Sequence, residues 1–143
     1  MNNRSMPQCS VIPELVYADV ERAIEWLGES FGLRLRWRAG DHRAQLAIGE
    51  GAIVVVESRE DLRLARPFDR SHSVMVRVED VDAHHRRSIE AGAPIVHPPA
   101  DFPYGERQYT ADDLGGHRWT FTETIADVPP EQWGGSPGEA IEA

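Results

Sequence analysis

The side chains able to do chemistry in this chain are spread along it rather than gathered in one motif. The single cysteine, Cys9, can form neither an intrachain disulfide nor a cysteine-rich zinc site. There is no nucleophile elbow, no glycine-rich phosphate loop and no close Ser/His/Asp pattern. Of the six histidines, His84 and His85 are adjacent on an expected helix. They would project about 100° apart and chelate poorly. Glu14 lies within the apolar run 11–17 and Glu57 at the end of the run 52–56. In an apolar trough their pKa would rise, and either could act as a general base. Arg77 and Arg118 either grip a ligand or pair with these two glutamates. The loop Phe102-Pro-Tyr104-Gly-Glu-Arg107-Gln-Tyr109 offers aromatic and cationic groups suited to recognition.

The elements that must position these residues occur twice. Val11 to Tyr17 reads as a strand, Asp19 as a helix N-cap, and Val20, Ile24, Leu27 and Phe31 as the apolar stripe of a helix ended by Gly32. Strands follow at 33–38, 43–48 and 52–57. The order then repeats: strand 73–78, cap Asp80, helix 81–91, Gly92, a short strand 95–97, a proline-rich loop 98–105, and strands 107–111 and 117–122. Asp19-Val20 recurs as Asp80-Val81, Gly32 as Gly92, and Gly51 as Gly116. The fold class this predicts is α+β: two βαβββ modules forming a curved mixed sheet around a cleft, with helices on the outer face. The domain spans 10–125, with modules at about 10–57 and 72–123 and a linker at 58–71, in which a helical turn around 61–65 is conceivable. Residues 1–9 read as a flexible N-terminus and 126–143 as a loose tail.

Length and composition limit the alternatives. A chain of 143 residues favours one domain. No apolar run reaches a membrane span, and the N-terminus lacks a signal-peptide core, so a cytoplasmic protein without a membrane partner is expected. The net charge of −9 disfavours a nucleic-acid partner. It is compatible with a cationic small molecule.

Three blocks carry a resemblance: Tyr-Ala-Asp-Val-Glu-Arg-Ala-Ile-Glu-Trp…Phe-Gly (17–32); Val-Glu-Asp-Val-Asp-Ala-His (78–84) with Ala-Gly-Ala (91–93); and Tyr-Gly-Glu-Arg-Gln-Tyr…Asp-Asp-Leu-Gly-Gly-His-Arg-Trp-Thr-Phe (104–121). In this order they resemble the vicinal oxygen chelate superfamily, which includes glyoxalase I, extradiol dioxygenases and bleomycin resistance proteins. The last block departs from the usual Asp-Pro-Asp-Gly of that superfamily. The resemblance implies a small organic ligand, a homodimer and, in the enzymes, a divalent metal held from the first and last strand of each module. Counting from Asp19, Asp80, Gly51 and Gly116 by the glyoxalase pattern gives Ile12, Ser73, Val55 and Thr120. Two aliphatic chains and two neutral hydroxyls are a poor divalent site, so no metal and no cofactor is expected. An off-register site of His72, Glu14 and Glu57 would need a β-bulge.

The expected function is metal-independent binding of a small molecule, as in the sequestration of a toxic or cationic compound. The ligand-binding candidates are Ser73, Met75, Arg77, Val55, Tyr104, Arg107, Tyr109, Arg118 and Thr120. The alternative is a lyase or glyoxalase-like enzyme using the off-register metal or a glutamate base. A third reading is a scaffold for a protein partner.

Overall fold

Asp19 and Asp80 cap their helices as the sequence predicts: each carboxylate accepts from the backbone N–H three residues on, Arg22 and Ala83, both at 3.0 Å. Between these caps and the glycines at φ 80° (Gly32) and 83° (Gly92) lie α1 (Val20–Phe31) and α2 (Val81–Glu90). The first module adds β1 (Glu14–Tyr17), β2 (Arg34–Ala39), β3 (Arg43–Ile48) and β4 (Gly51–Glu57). The second adds β5 (Val74–Arg77), β6 (Ile95–Phe102), β7 (Glu106–Asp112) and β8 (Arg118–Thr124). The computed structural model describes residues 1–66 and 70–141. Pro67 to Asp69 of the expected linker and the last two residues of the expected tail lie outside them.

The strands form two four-stranded mixed sheets, β1-β4-β3-β2 and β5-β8-β7-β6, with β1 and β5 as edges. Two helices pack on them, so the fold is α+β in two βαβββ modules. Three details differ from the sequence reading. β6 runs on through Pro98 and Pro99 to Phe102, with register shifts against β7; it is an edge strand, where a missing N–H is tolerated. Residues 59–62 close through an antiparallel bridge rather than a helical turn. The tail is anchored where it begins: Ile125 and Ala126 N–H donate to the Gly105 carbonyl at 2.8 and 3.2 Å. A Cβ on Gly105 would stand 2.3 Å from the Ala126 oxygen, so that glycine is required.

Each sheet turns one face to the helices. In the first module Leu15, Tyr17, Ala44, Leu46, Ile53 and Val55 join Val20, Ala23, Leu27 and Phe31 in the core. In the second, Tyr109, Ala111, Trp119 and Phe121 do so with Val81, and Val74 and Val76 pack against them. Burying a Leu or Phe fully is worth about 1.5–3 kcal/mol. This corrects the expectation that Val55 meets a ligand. Glu14 lies opposite Val54, and Leu15 opposite Val55, so Val55 faces the helices. The ladders show the size of the error: Val54, opposite Glu14, is the counterpart of Thr120, opposite Met75. Counting from Gly51, which is already the first residue of β4, therefore overshoots by one, whereas Gly116 (φ 81°) is a true turn glycine.

Two polar clusters lock the modules together. Four consecutive carbonyls at the end of α1 are met from α2. Arg87 donates to Gly28 and Glu29 (2.8 and 3.1 Å), Ser88 to Ser30 (3.1 Å), and His84 Nε2 to Phe31 (2.8 Å). A helix C-terminus leaves these groups unsatisfied and carries partial negative charge, which Arg87 offsets. Burial holds the His84 pKa below its ordinary value, the Phe31 hydrogen bond opposes this, and Arg87 adds to it. In the second cluster the buried Asp113 accepts from Gly115 and His117 N–H, from Tyr17 Oη at 2.5 Å and from Trp119 Nε1 at 3.0 Å. Burial pushes the Tyr17 pKa well up, with the Asp113 charge adding to it.

Candidate functional site

The edges of β1 and β5 face one another across a cavity of about 810 Å³, large enough for a drug-sized molecule. Its apolar lining includes Val11, Pro13, Leu15, Leu64 and Met75; its polar lining includes Glu14, Ser73, His72, Arg63 and Arg66. His117 joins the two sides. Its Nε2 donates to the Val16 carbonyl at 2.9 Å. That leaves Nδ1 of the neutral ring to accept from His72 Nε2 at 3.3 Å. Glu14 is engaged by Arg43 at 2.9 Å.

Beside this cavity, the face of the second module turned away from α2 is polar and interlinked. Tyr104 donates to Gln108, Gln108 to Thr122, and Thr122 to Glu106, at 3.1, 3.1 and 2.7 Å. Thr110 and Thr120 share a hydrogen bond of 3.1 Å. Arg118 is paired with Asp112 at 3.1 Å. Met75 and Arg77 are exposed, Met75 at 62%, and Arg77 makes no ion pair among the described residues. Tyr104 stacks on Phe102 (centroids 5.5 Å apart) and meets Trp133 edge-on.

Set against the sequence candidates, Glu14, Met75, Arg77, Arg118 and Thr120 lie on the faces away from the helices. Ser73 lines the cavity, and Tyr104 reaches this surface through Gln108. Four others do not share it. Val55 is in the core. Tyr109, the partner of Phe121 in the ladder, is buried and bonded to His84 Nδ1 and Ser88 at 2.5 and 2.6 Å; burial pushes its pKa up to about 12. Arg107 has the same parity and pairs with Asp82 on α2 and with Asp101. Glu57 lies opposite Tyr17. Arg107 and Tyr109 belong to the expected strand at 107–111 rather than to the recognition loop: β7 starts at Glu106, and alternation turns both toward the helix. The expected pairing of Arg77 and Arg118 with glutamates is also absent: Glu14 takes Arg43, and Arg118 takes Asp112.

Corrected for the one-residue overshoot, the positions that the resemblance assigns to a metal are Ile12, Val54, Ser73 and Thr120. Val54 supplies no more donor atoms than Val55, and two neutral hydroxyls do not make a divalent site. These residues do not fit the metal. Nor do Glu14, Glu57 and His72 converge, since the two glutamates take opposite faces of the sheet. Among the described residues no group of three His, Cys, Asp or Glu side chains could hold a metal ion. Sequence reasoning missed Arg63, Arg66 and His117 at the cavity. The first two lie in a segment without periodicity, where no pattern fixes direction.

The Glyoxalase/Bleomycin resistance protein/Dioxygenase superfamily model matches residues 9–121. Among solved structures the chain is similar to TioX from Micromonospora sp. ML1, at 38% identity and a TM-score of 0.68, covering 85% of this chain and 100% of that one. It is also similar to a glyoxalase/bleomycin resistance protein/dioxygenase from Nocardioides (21% identity, TM-score 0.66, 95% and 93% covered). A third neighbour is lactoylglutathione lyase from Agrobacterium tumefaciens (19% identity, TM-score 0.61, 81% and 95% covered). At these last two identities the likeness speaks to the fold alone. No protein of curated function matches the chain. The match over residues 9–121, on a doubled βαβββ frame with its cavity at the module seam, means that the chain belongs to the glyoxalase/bleomycin resistance protein/dioxygenase superfamily.

Proposed function

We propose that this protein binds a small organic molecule without a metal, in the cavity between β1 and β5 and on the adjoining open face of the second module. The observation that carries this reading is the donor set: Ile12, Val54, Ser73 and Thr120 stand where enzymes of the superfamily coordinate their ion. The wall is apolar with a few polar groups, which suits gripping an organic body more than activating water. Sequestration of a toxic compound is the most concrete version, in the cytoplasm and as a homodimer. The acidic net charge supports a cationic compound only at long range.

Differential scanning of chelator-treated protein against a panel of aromatic and charged metabolites tests the reading. A bound ligand raises Tm in a concentration-dependent way, and the shift is expected to be the same with and without chelator. A shift that vanishes with chelator and returns with zinc would support the lyase or glyoxalase-like alternative.

A further inference from the structure

We infer that the ligand taken up at the β1–β5 seam carries an anionic group, a carboxylate or sulfonate on an apolar body, and that Arg63 and Arg66 receive it. This rests on the binding reading above and names its ligand class.

The argument is a local charge balance. Among the described residues three charged side chains line the cavity: Glu14, Arg63 and Arg66. Glu14 is already neutralised by Arg43 at 2.9 Å. Neither Arg63 nor Arg66 makes an ion pair or hydrogen bond among the described residues. The charge left facing the cavity is therefore positive, in a chain whose net charge is −9. A protein this acidic has many carboxylates with which to cover two guanidiniums, yet none among the described residues does so. Guanidinium presents a planar fork of donors that matches a carboxylate or sulfonate in two-point contact.

The neutral groups around them also suit an anion. Ser73 has a hydroxyl to donate. His72 is held in place through His117, whose own Nε2 is fixed on the Val16 carbonyl. The apolar part of the wall, which includes Leu15, Leu64 and Met75, takes the body of the ligand. An apolar body with an anionic head fits this lining better than a cation does, although the whole-chain charge suggests the opposite. Groups lining the cavity act on its occupant at close range, whereas salt screens exposed carboxylates beyond about 8–10 Å.

Two dyes that differ only by the anion test it: 1-anilinonaphthalene-8-sulfonate and its uncharged counterpart N-phenyl-1-naphthylamine, titrated by fluorescence. The sulfonate is expected to bind at least tenfold more tightly. R63A/R66A is expected to weaken the sulfonate to the level of the neutral dye and to leave the neutral dye unchanged. R34A/R86A, which removes two exposed arginines outside the cavity, is expected to change neither. Tm of each variant is measured alongside to confirm folding. Equal affinity for both dyes in the parent, or a sulfonate preference that survives R63A/R66A, overturns the anion assignment and leaves the small-molecule reading standing. A loss as large in R34A/R86A also overturns it, since net charge alone would then explain the preference. Failure of both dyes to bind removes both the assignment and the cavity reading beneath it.

Discussion

Away from the helices, the first module presents Val16, Ala47, Val54 and Val56 around the amide of Gln45, whereas the second presents Met75, Thr110, Thr120, Thr122 and Gln108. The first surface is closed. Gln45 is fully buried, Val54 and Val56 are 6% and 2% exposed, and neither polar atom of Gln45 finds a hydrogen-bond partner among the described residues. The N-terminal segment reaches this side of the module: Trp37 Nε1 donates to the Ser5 carbonyl and Arg36 to that of Arg4, at 2.9 and 3.1 Å. The second surface is open at Met75, 62% exposed, and buried at Gln108 and Thr122, and its hydroxyls and amides are mutually satisfied. A duplicated frame has thus kept its caps, helices and strand order while its two inner faces diverged. One became a closed face beneath its own N-terminus. The other is polar and keeps Met75 and Arg77 exposed.

The largest way to break this comparison is to separate the modules. Asp113 has no counterpart in the Gly49-Glu50-Gly51 turn, and it alone holds Tyr17, Trp119 and two backbone donors. Asp113→Ala is expected to cost about 3–5 kcal/mol, because buried donors lose a charged acceptor. Urea denaturation measures it, and a loss below about 1 kcal/mol would mean that the modules are held mainly elsewhere.

Next is the contrast between two glutamines. Gln45→Leu removes an unpartnered buried amide and is expected to stabilise by about 1–2 kcal/mol, whereas Gln108→Leu breaks the Tyr104–Thr122 link and is expected to destabilise by about 1 kcal/mol. Opposite signs in thermal melts sustain the comparison. The same sign would show that the two faces are alike in kind.

The smallest expected effect is on pH dependence at the other lock. His84 has a folded pKa below its unfolded value of about 6.5. As pH falls through that value the unfolded chain takes up a proton that the folded chain resists, so stability present above pH about 6.5 declines below it. Stability measured between pH 7.5 and 5.5 is expected to fall, and His84→Asn is expected to flatten the slope. An unchanged slope would move the titration to another group.

Much of this frame is legible in the sequence. Asp19 and Asp80 cap because a carboxylate before an apolar stripe has free N–H groups to accept from, and Gly32 and Gly92 take a backbone shape other residues avoid. In β8, Arg118, Thr120 and Thr122 alternate with Trp119 and Phe121, so its faces can be assigned by eye. β4 reads Ala-Ile-Val-Val-Val and is apolar on both faces, as befits a strand buried on both sides. Alternation is silent there, and Gly51, which reads as a turn glycine, is already strand. The seam itself was not legible. Which residues of 59–66 reach it depends on how two modules dock, and that is decided by Asp113, His84 and Arg87 acting across long sequence separations.

The central claim is that the metal positions of the superfamily are here chemically unfit for a metal. Calorimetric titration of chelator-treated protein with zinc and with nickel tests it most directly. No saturable one-to-one binding is expected with either ion. Stoichiometric binding that His72→Ala or Glu14→Ala abolishes would contradict it.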